Sequence, residues 1–134
     1  MATNQWLNIV NFGLIILIWL VQLIIYPSFH EIDEAVFTKW HKKYVKLMCS
    51  VVVPLMLAQA LLVLRSVVDH LTLGNLLMLT GITICWTSSF FLSVPCHKML
   101  QLKGKDHAVI HRLVRTNWIR TIFWTCVFLA GIMA

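Results

Sequence analysis

The chain has 134 residues, 60% of them hydrophobic and 12% charged, with a formal net charge of +6. A soluble domain carries about 25% charged residues, and this length allows one small domain and no more, so the composition excludes an ordinary water-soluble fold and makes lipid the expected solvent. The positive charge does not indicate nucleic acid: every Lys and Arg except Arg65 falls within 39–46 or 98–120, two stretches that read as positive-inside loops and as contacts for anionic lipid headgroups.

In chain order, the first element is an apolar run through 6–26. It has no basic start and is too long for a signal-peptide core, so it reads as a retained helix. Three more runs follow, at 44–64, 71–94 and 117–134. Each is near the roughly 20 residues a membrane helix needs, and each must be helical to satisfy its own backbone in lipid. The expected fold is therefore all-α: one integral membrane four-helix bundle. The basic first and third connections are expected in the cytoplasm, and both termini on the other side. The fourth span is short beyond Arg120, so its helix is expected to begin earlier, near Asp106, after Gly104. The second helix is likewise expected to begin near Asp33 or Glu34.

A weak internal repeat runs through the chain. Residues 33–37 resemble 106–110, and the same register pairs Lys39 with Arg112, Lys42 with Arg115 and Tyr44 with Asn117. Upstream, 26–30 is similar to 94–97. As a true repeat, this describes two helical hairpins related by an axis along the membrane normal, with Tyr44 and Asn117 close together. Few positions are identical, and coincidence is the competing explanation.

Polar residues within the spans set the functional question. They are Asn8, Asn11, Gln22, Gln59, Asn117 and Arg120. A central charge costs about 2.5–3.5 kcal/mol on insertion scales, and such residues face the bundle interior or water. Arg120 has two readings. It snorkels to the headgroups, or it faces inward and holds Glu31, Glu34 or a substrate oxygen. Asn117, one turn away, is a candidate for hydrogen bonds across the bundle.

Five of the six histidines, His30, His41, His97, His107 and His111, lie toward the basic end. His107 and His111 share a helix face. With His41 or His97 they are candidate ligands for a transition metal or haem; plain interfacial histidines are the competing reading. No HExxH, ExxH or CxxCH motif is present. Trp6, Trp40 and Trp118 fit an interfacial belt, while Trp19, Trp86 and Trp124 are deeper. Pro54 is expected to kink the second helix. The cysteines, Cys49, Cys85, Cys96 and Cys126, show no disulfide framework.

Tyr26-Pro27, Trp40-His41, the run 94–97 and above all the run 113–121, with Thr116-Asn117-Trp118-Ile119-Arg120-Thr121 at its centre, carry a resemblance that covers nearly the whole chain. They resemble a group of small, functionally uncharacterised bacterial four-helix membrane proteins, which implies a bacterial inner membrane. More distantly, the layout is similar to the anthrone-oxygenase-like membrane proteins, which implies oxidation of an aromatic, lipid-soluble substrate by fold-level analogy.

Three functions follow as expectations. The first is a membrane-embedded oxidoreductase or oxygenase acting on a hydrophobic small molecule. In it His41, His97 and His111 bind a metal or shuttle protons, Asn117 and Arg120 stabilise an oxyanion developing on the substrate, and Tyr44 joins the catalytic residues. The second is a non-enzymatic accessory or scaffold subunit, as a homo-oligomer or within a larger complex. The third is transport of a small solute by an oligomer.

Overall fold

The computed structural model describes residues 2–134, and these are helical with no strand among them. Four helices follow in order: α1 (Thr3–Glu31), α2 (Glu34–Asp69), α3 (Leu73–Lys103) and α4 (His107–Met133). The chain reverses after Glu31 and Lys103 at the basic end, and after Asp69 at the other. Side-chain caps define three of the starts. Asp33 Oδ1 accepts from Ala35 N at 2.8 Å, and Asp106 Oδ1 accepts from Ala108 N and Val109 N at 2.9 and 3.3 Å. Thr72 Oγ1 accepts from Asn75 N at 3.2 Å. Gly104 ends α3 at φ +84°, where a side chain would be strained.

Two interruptions shape the bundle. A π-helical turn occupies Val21–Ile25 in α1, and another occupies Ser89–Ser93 in α3. Each is followed, after one residue, by a proline: Pro27 and Pro95. A helical proline has no N–H and its ring crowds the carbonyl four residues back. The π turn absorbs this by adding a residue, with Tyr26 N–H reaching Val21 O and Val94 N–H reaching Ser89 O. Both halves thus share one layout: helix, π turn, X-Pro, short turn, Asp-capped helix. Pro54, by contrast, sits on the exposed side of α2, and the helix runs on through it.

Sequence neighbours are spatial neighbours, and α4 closes the ring against α1. The α3–α4 approach is tight. A Cβ on Gly81 would meet Val127 Cγ2 at 2.5 Å, so the absence of a side chain there lets the two helices approach closely. The polarity is inverted relative to a soluble bundle. Asn11, Gln22, Gln59, Asn117, Arg120 and Thr121 are buried, whereas Ile9, Leu23, Ile24, Leu61 and Phe91 are exposed.

Helices α1, α2 and α3 are long and apolar enough to cross a membrane. Helix α4 is the most polar of the four along its middle because Asn117, Arg120 and Thr121 all lie there, and all three face inward.

Candidate functional site

A cavity of about 210 Å³ lies between the four helices in the half nearer the basic end. Its walls come from Ile18 and Val21 on α1, Tyr44, Met48 and Met56 on α2, Trp86, Ser93 and His97 on α3, and Arg120 and Trp124 on α4. On one side the rim residues Val53 on α2 and Phe90 and Val94 on α3 are exposed, as is Cys49. The cavity therefore opens sideways, between α2 and α3, onto the apolar outer surface. Its floor is a polar layer: Trp124 Nε1 donates to Gln59 Oε1 at 3.0 Å, and Gln59 Nε2 donates to Asn11 Oδ1 at 2.7 Å.

Arg120 reaches this cavity from α4. It is buried, and among the described residues the one ion pair is Arg65–Asp69, far along α2. Neither Glu31 nor Glu34 reaches it. The snorkelling reading and the carboxylate-partner reading are both replaced by neutral hydrogen bonds. Nη2 donates to Tyr26 Oη at 3.2 Å and to Asn117 Oδ1, and Nη1 donates to Ser89 Oγ at 3.4 Å. Asn117 in turn donates to Gln22 Oε1 at 2.9 Å, and Thr121 Oγ1 donates to the same oxygen at 3.0 Å. Gln22 and Ser89 both come from the π turns. An added residue there turns the following face by about 100°, and so aims a polar group at the middle of α4.

Four of the residues that line the cavity carry a buried polar atom without a hydrogen-bond partner: Tyr44 Oη, Trp86 Nε1, Ser93 Oγ and Arg120 Nε. Such groups are uncommon and costly, and all four can donate. An oxygen acceptor would complement such donors.

At the basic end the cavity meets a chain of hydrogen bonds. Gln101 Nε2 and His41 Nδ1 are 2.5 Å apart, His41 Nε2 and His97 Nδ1 2.9 Å, and His97 Nε2 and Tyr26 Oη 3.2 Å. Phe29 seals the chain. It is fully buried and stands edge-on to His41, His97, Tyr44 and Trp40, at centroid distances of 5.6, 6.3, 5.1 and 5.3 Å. Phe37 stacks on His41 at 5.5 Å.

The histidines divide differently from the sequence expectation. His41 pairs with His97, whereas His107 pairs with His30, Nδ1 to Nδ1 at 2.6 Å, on the exposed surface. His111 is exposed and bonds to neither pair. The expected set of His107 and His111 with His41 or His97 is not brought together. Among the described residues no three His, Cys, Asp or Glu side chains converge as metal ligands. All four ring nitrogens of His41 and His97 are already engaged, so these residues do not fit a metal or haem iron. Tyr44 and Asn117 are not bonded to each other either. Tyr44 stacks on Trp40, and Asn117 joins Gln22.

Tyr26, Ser89, Ser93, Gln101, Trp86 and Phe29 were not singled out as site residues by the sequence. One signal was present: Ser89, Ser93 and His97 recur every fourth residue, which marks one helix face. No family model, no curated protein and no solved structure matches this chain.

Proposed function

We propose that the protein is an integral membrane four-helix bundle whose cavity binds a lipid-soluble aromatic molecule bearing a hydroxyl or carbonyl oxygen, and that it acts on that molecule as an oxidoreductase or oxygenase. The observation that carries this reading is Arg120, a buried cation without a carboxylate, at an apolar cavity where the unpartnered polar atoms are donors.

The membrane reading rests on the inverted polarity, since soluble proteins rarely expose large contiguous apolar patches. The basic end of the bundle belongs in the cytoplasm, and the side opening then faces lipid in the cytoplasmic half. Size argues for a ring rather than a whole lipid. An apolar cavity of about 150 Å³ binds benzene, so 210 Å³ suits one or two fused rings, with a third ring or a tail left in the opening toward the bilayer. A quinone or phenol head fits these limits. Its oxygen would sit at Arg120, Tyr44 and Ser93, where preorganised donors stabilise negative charge. Ionising an aromatic hydroxyl raises its electron density and makes it easier to oxidise. That link between oxyanion binding and oxidation supports the oxidoreductase reading.

The test uses purified protein in lipid nanodiscs with 2-methyl-1,4-naphthoquinone and anthrone as probes. Trp86 and Trp124 line the cavity, so the quinone is expected to quench tryptophan fluorescence saturably. Anthrone plus O₂, giving anthraquinone and water, is expected to proceed faster than in empty nanodiscs and to slow in Arg120→Met. Binding without oxidation leaves a ligand-binding protein. No saturable binding turns the assignment to a non-enzymatic accessory subunit.

A further inference from the structure

A buried imidazole bonded directly to a half-buried one is an unusual use of histidine, and the ligand site described above does not need both. His97 lines the cavity. His41 does not; it is fully buried behind His97, and its outer nitrogen meets Gln101, half-buried in the last turn of α3. We propose that Gln101, His41 and His97 form a proton path between the basic end of the bundle and the cavity, carrying the proton of the ligand oxygen held at Arg120. The path rests on the ligand-site reading for its purpose, but not for its operation.

The chain of bonds has two proton arrangements on one set of heavy atoms. In the first, Gln101 offers its amide nitrogen to His41 Nδ1. His41 then donates from Nε2 to His97 Nδ1, and His97 donates from Nε2 to Tyr26 Oη. In the second, Gln101 offers its carbonyl oxygen, an orientation related by a simple amide flip. Tyr26 then donates to His97 Nε2, His97 donates from Nδ1 to His41 Nε2, and His41 donates from Nδ1 to Gln101. Arg120 donates to Tyr26 Oη in both. Only the second gives the Tyr26 hydroxyl hydrogen an acceptor. A rigid structural pair would favour one donor–acceptor polarity strongly. Here the two bonded groups are chemically alike, so the polarity reverses at the cost of one amide rotation.

The ligand hydroxyl gives its proton to Tyr26 Oη as Tyr26 passes its own proton to His97 Nε2, and the ligand remains as an oxyanion at Arg120. His97 passes its Nδ1 proton to His41 Nε2. His41 releases its Nδ1 proton to water when Gln101 turns aside. One proton leaves the ligand and one enters bulk water, and both imidazoles end neutral. Phe29 and Phe37 cover the ring faces and edges, which keeps transfer on the nitrogens. The other titratable groups facing the pair are Tyr26, Tyr44 and Arg120, so no carboxylate offers an alternative acceptor.

The test has a ligand-free arm and a probe arm, both on the full chain in nanodiscs. With ¹⁵N-labelled histidine, His41 and His97 are expected to show nitrogen shifts averaged between two tautomers. Replacing Gln101→Leu, which leaves His41 Nδ1 without a partner that can reverse, is expected to freeze His97 into one tautomer. Fixed tautomers in the wild type, indifferent to that change, overturn the path whether or not any ligand binds. In the probe arm, bound 2-naphthol is excited; its excited state is a strong acid. The ratio of naphtholate to naphthol emission is expected to fall at least tenfold in His97→Phe and in His41→Gln, while 2-naphthol affinity stays within twofold in His41→Gln. An unchanged ratio at unchanged affinity overturns the path. A 2-naphthol that never binds removes the ligand-site reading, and the tautomer result then decides the path alone. His41→Gln keeps a hydrogen-bonding side chain, so the fold survives where His41→Phe fails.

Discussion

Replacing Arg120→Met separates a functional arginine from a structural one, because the two make opposite demands on stability. The substitution removes three hydrogen bonds, to Tyr26, Ser89 and Asn117. Tyr26 keeps His97 as a partner, and Ser89 keeps the Cys85 carbonyl at 2.8 Å. Only Asn117 Oδ1 is orphaned, a cost of about 1–3 kcal/mol for a buried acceptor. In return a buried charge without a counter-charge disappears, and exchanging buried ions for apolar residues of similar size commonly gains about 1–4 kcal/mol. The net change therefore falls between a loss of about 2 and a gain of about 3 kcal/mol. Affinity behaves otherwise. A hydrogen bond to a charged group is worth about 1.5–3 kcal/mol, so 2-methyl-1,4-naphthoquinone should bind about ten- to 150-fold more weakly. Reversible unfolding in mixed micelles, followed by far-UV circular dichroism, gives the first quantity; tryptophan quenching gives the second. A stability loss well above 3 kcal/mol with unchanged quinone affinity would refute the reasoning and make Arg120 a structural keystone.

The remaining predictions follow from single contacts. Tyr44→Phe removes only a hydroxyl that has no partner, so the thermal unfolding midpoint should hold or rise, by up to about 1–3 kcal/mol of stability, while quinone affinity falls. Gly81→Ala forces a Cβ against Val127 and should cost about 1–3 kcal/mol; adding Val127→Ala should recover part of this, so the double variant is less destabilised than the sum of the singles. Phe29→Ala empties the centre of the aromatic cluster and should cost about 3–5 kcal/mol. It should also speed hydrogen exchange at the His41 and His97 rings, since water gains access to them.

The sequence by itself carried the helices. Spacing of apolar runs, the two prolines, and Asp33 and Asp106 ahead of their helices are local signals, and the helices start where these caps lie. It also pointed inward for Gln22, Gln59 and Asn117, because such groups are costly wherever they meet lipid, but left Arg120 between an inward and a snorkelling reading.

Pairing across the bundle was not legible. The spacing of His107 and His111 suggested a common ligand face, yet His107 joins His30 and His111 stands alone. His41 meets His97 across 56 residues of sequence, and Arg120 meets Tyr26 across 94. Such contacts depend on which face each helix presents, and the π turns at Val21–Ile25 and Ser89–Ser93 rotate those faces within α1 and α3. A regular 3.6-residue period cannot report that rotation. The cavity, its unpartnered donors and the histidine chain are products of that packing. Only the tertiary structure decided them.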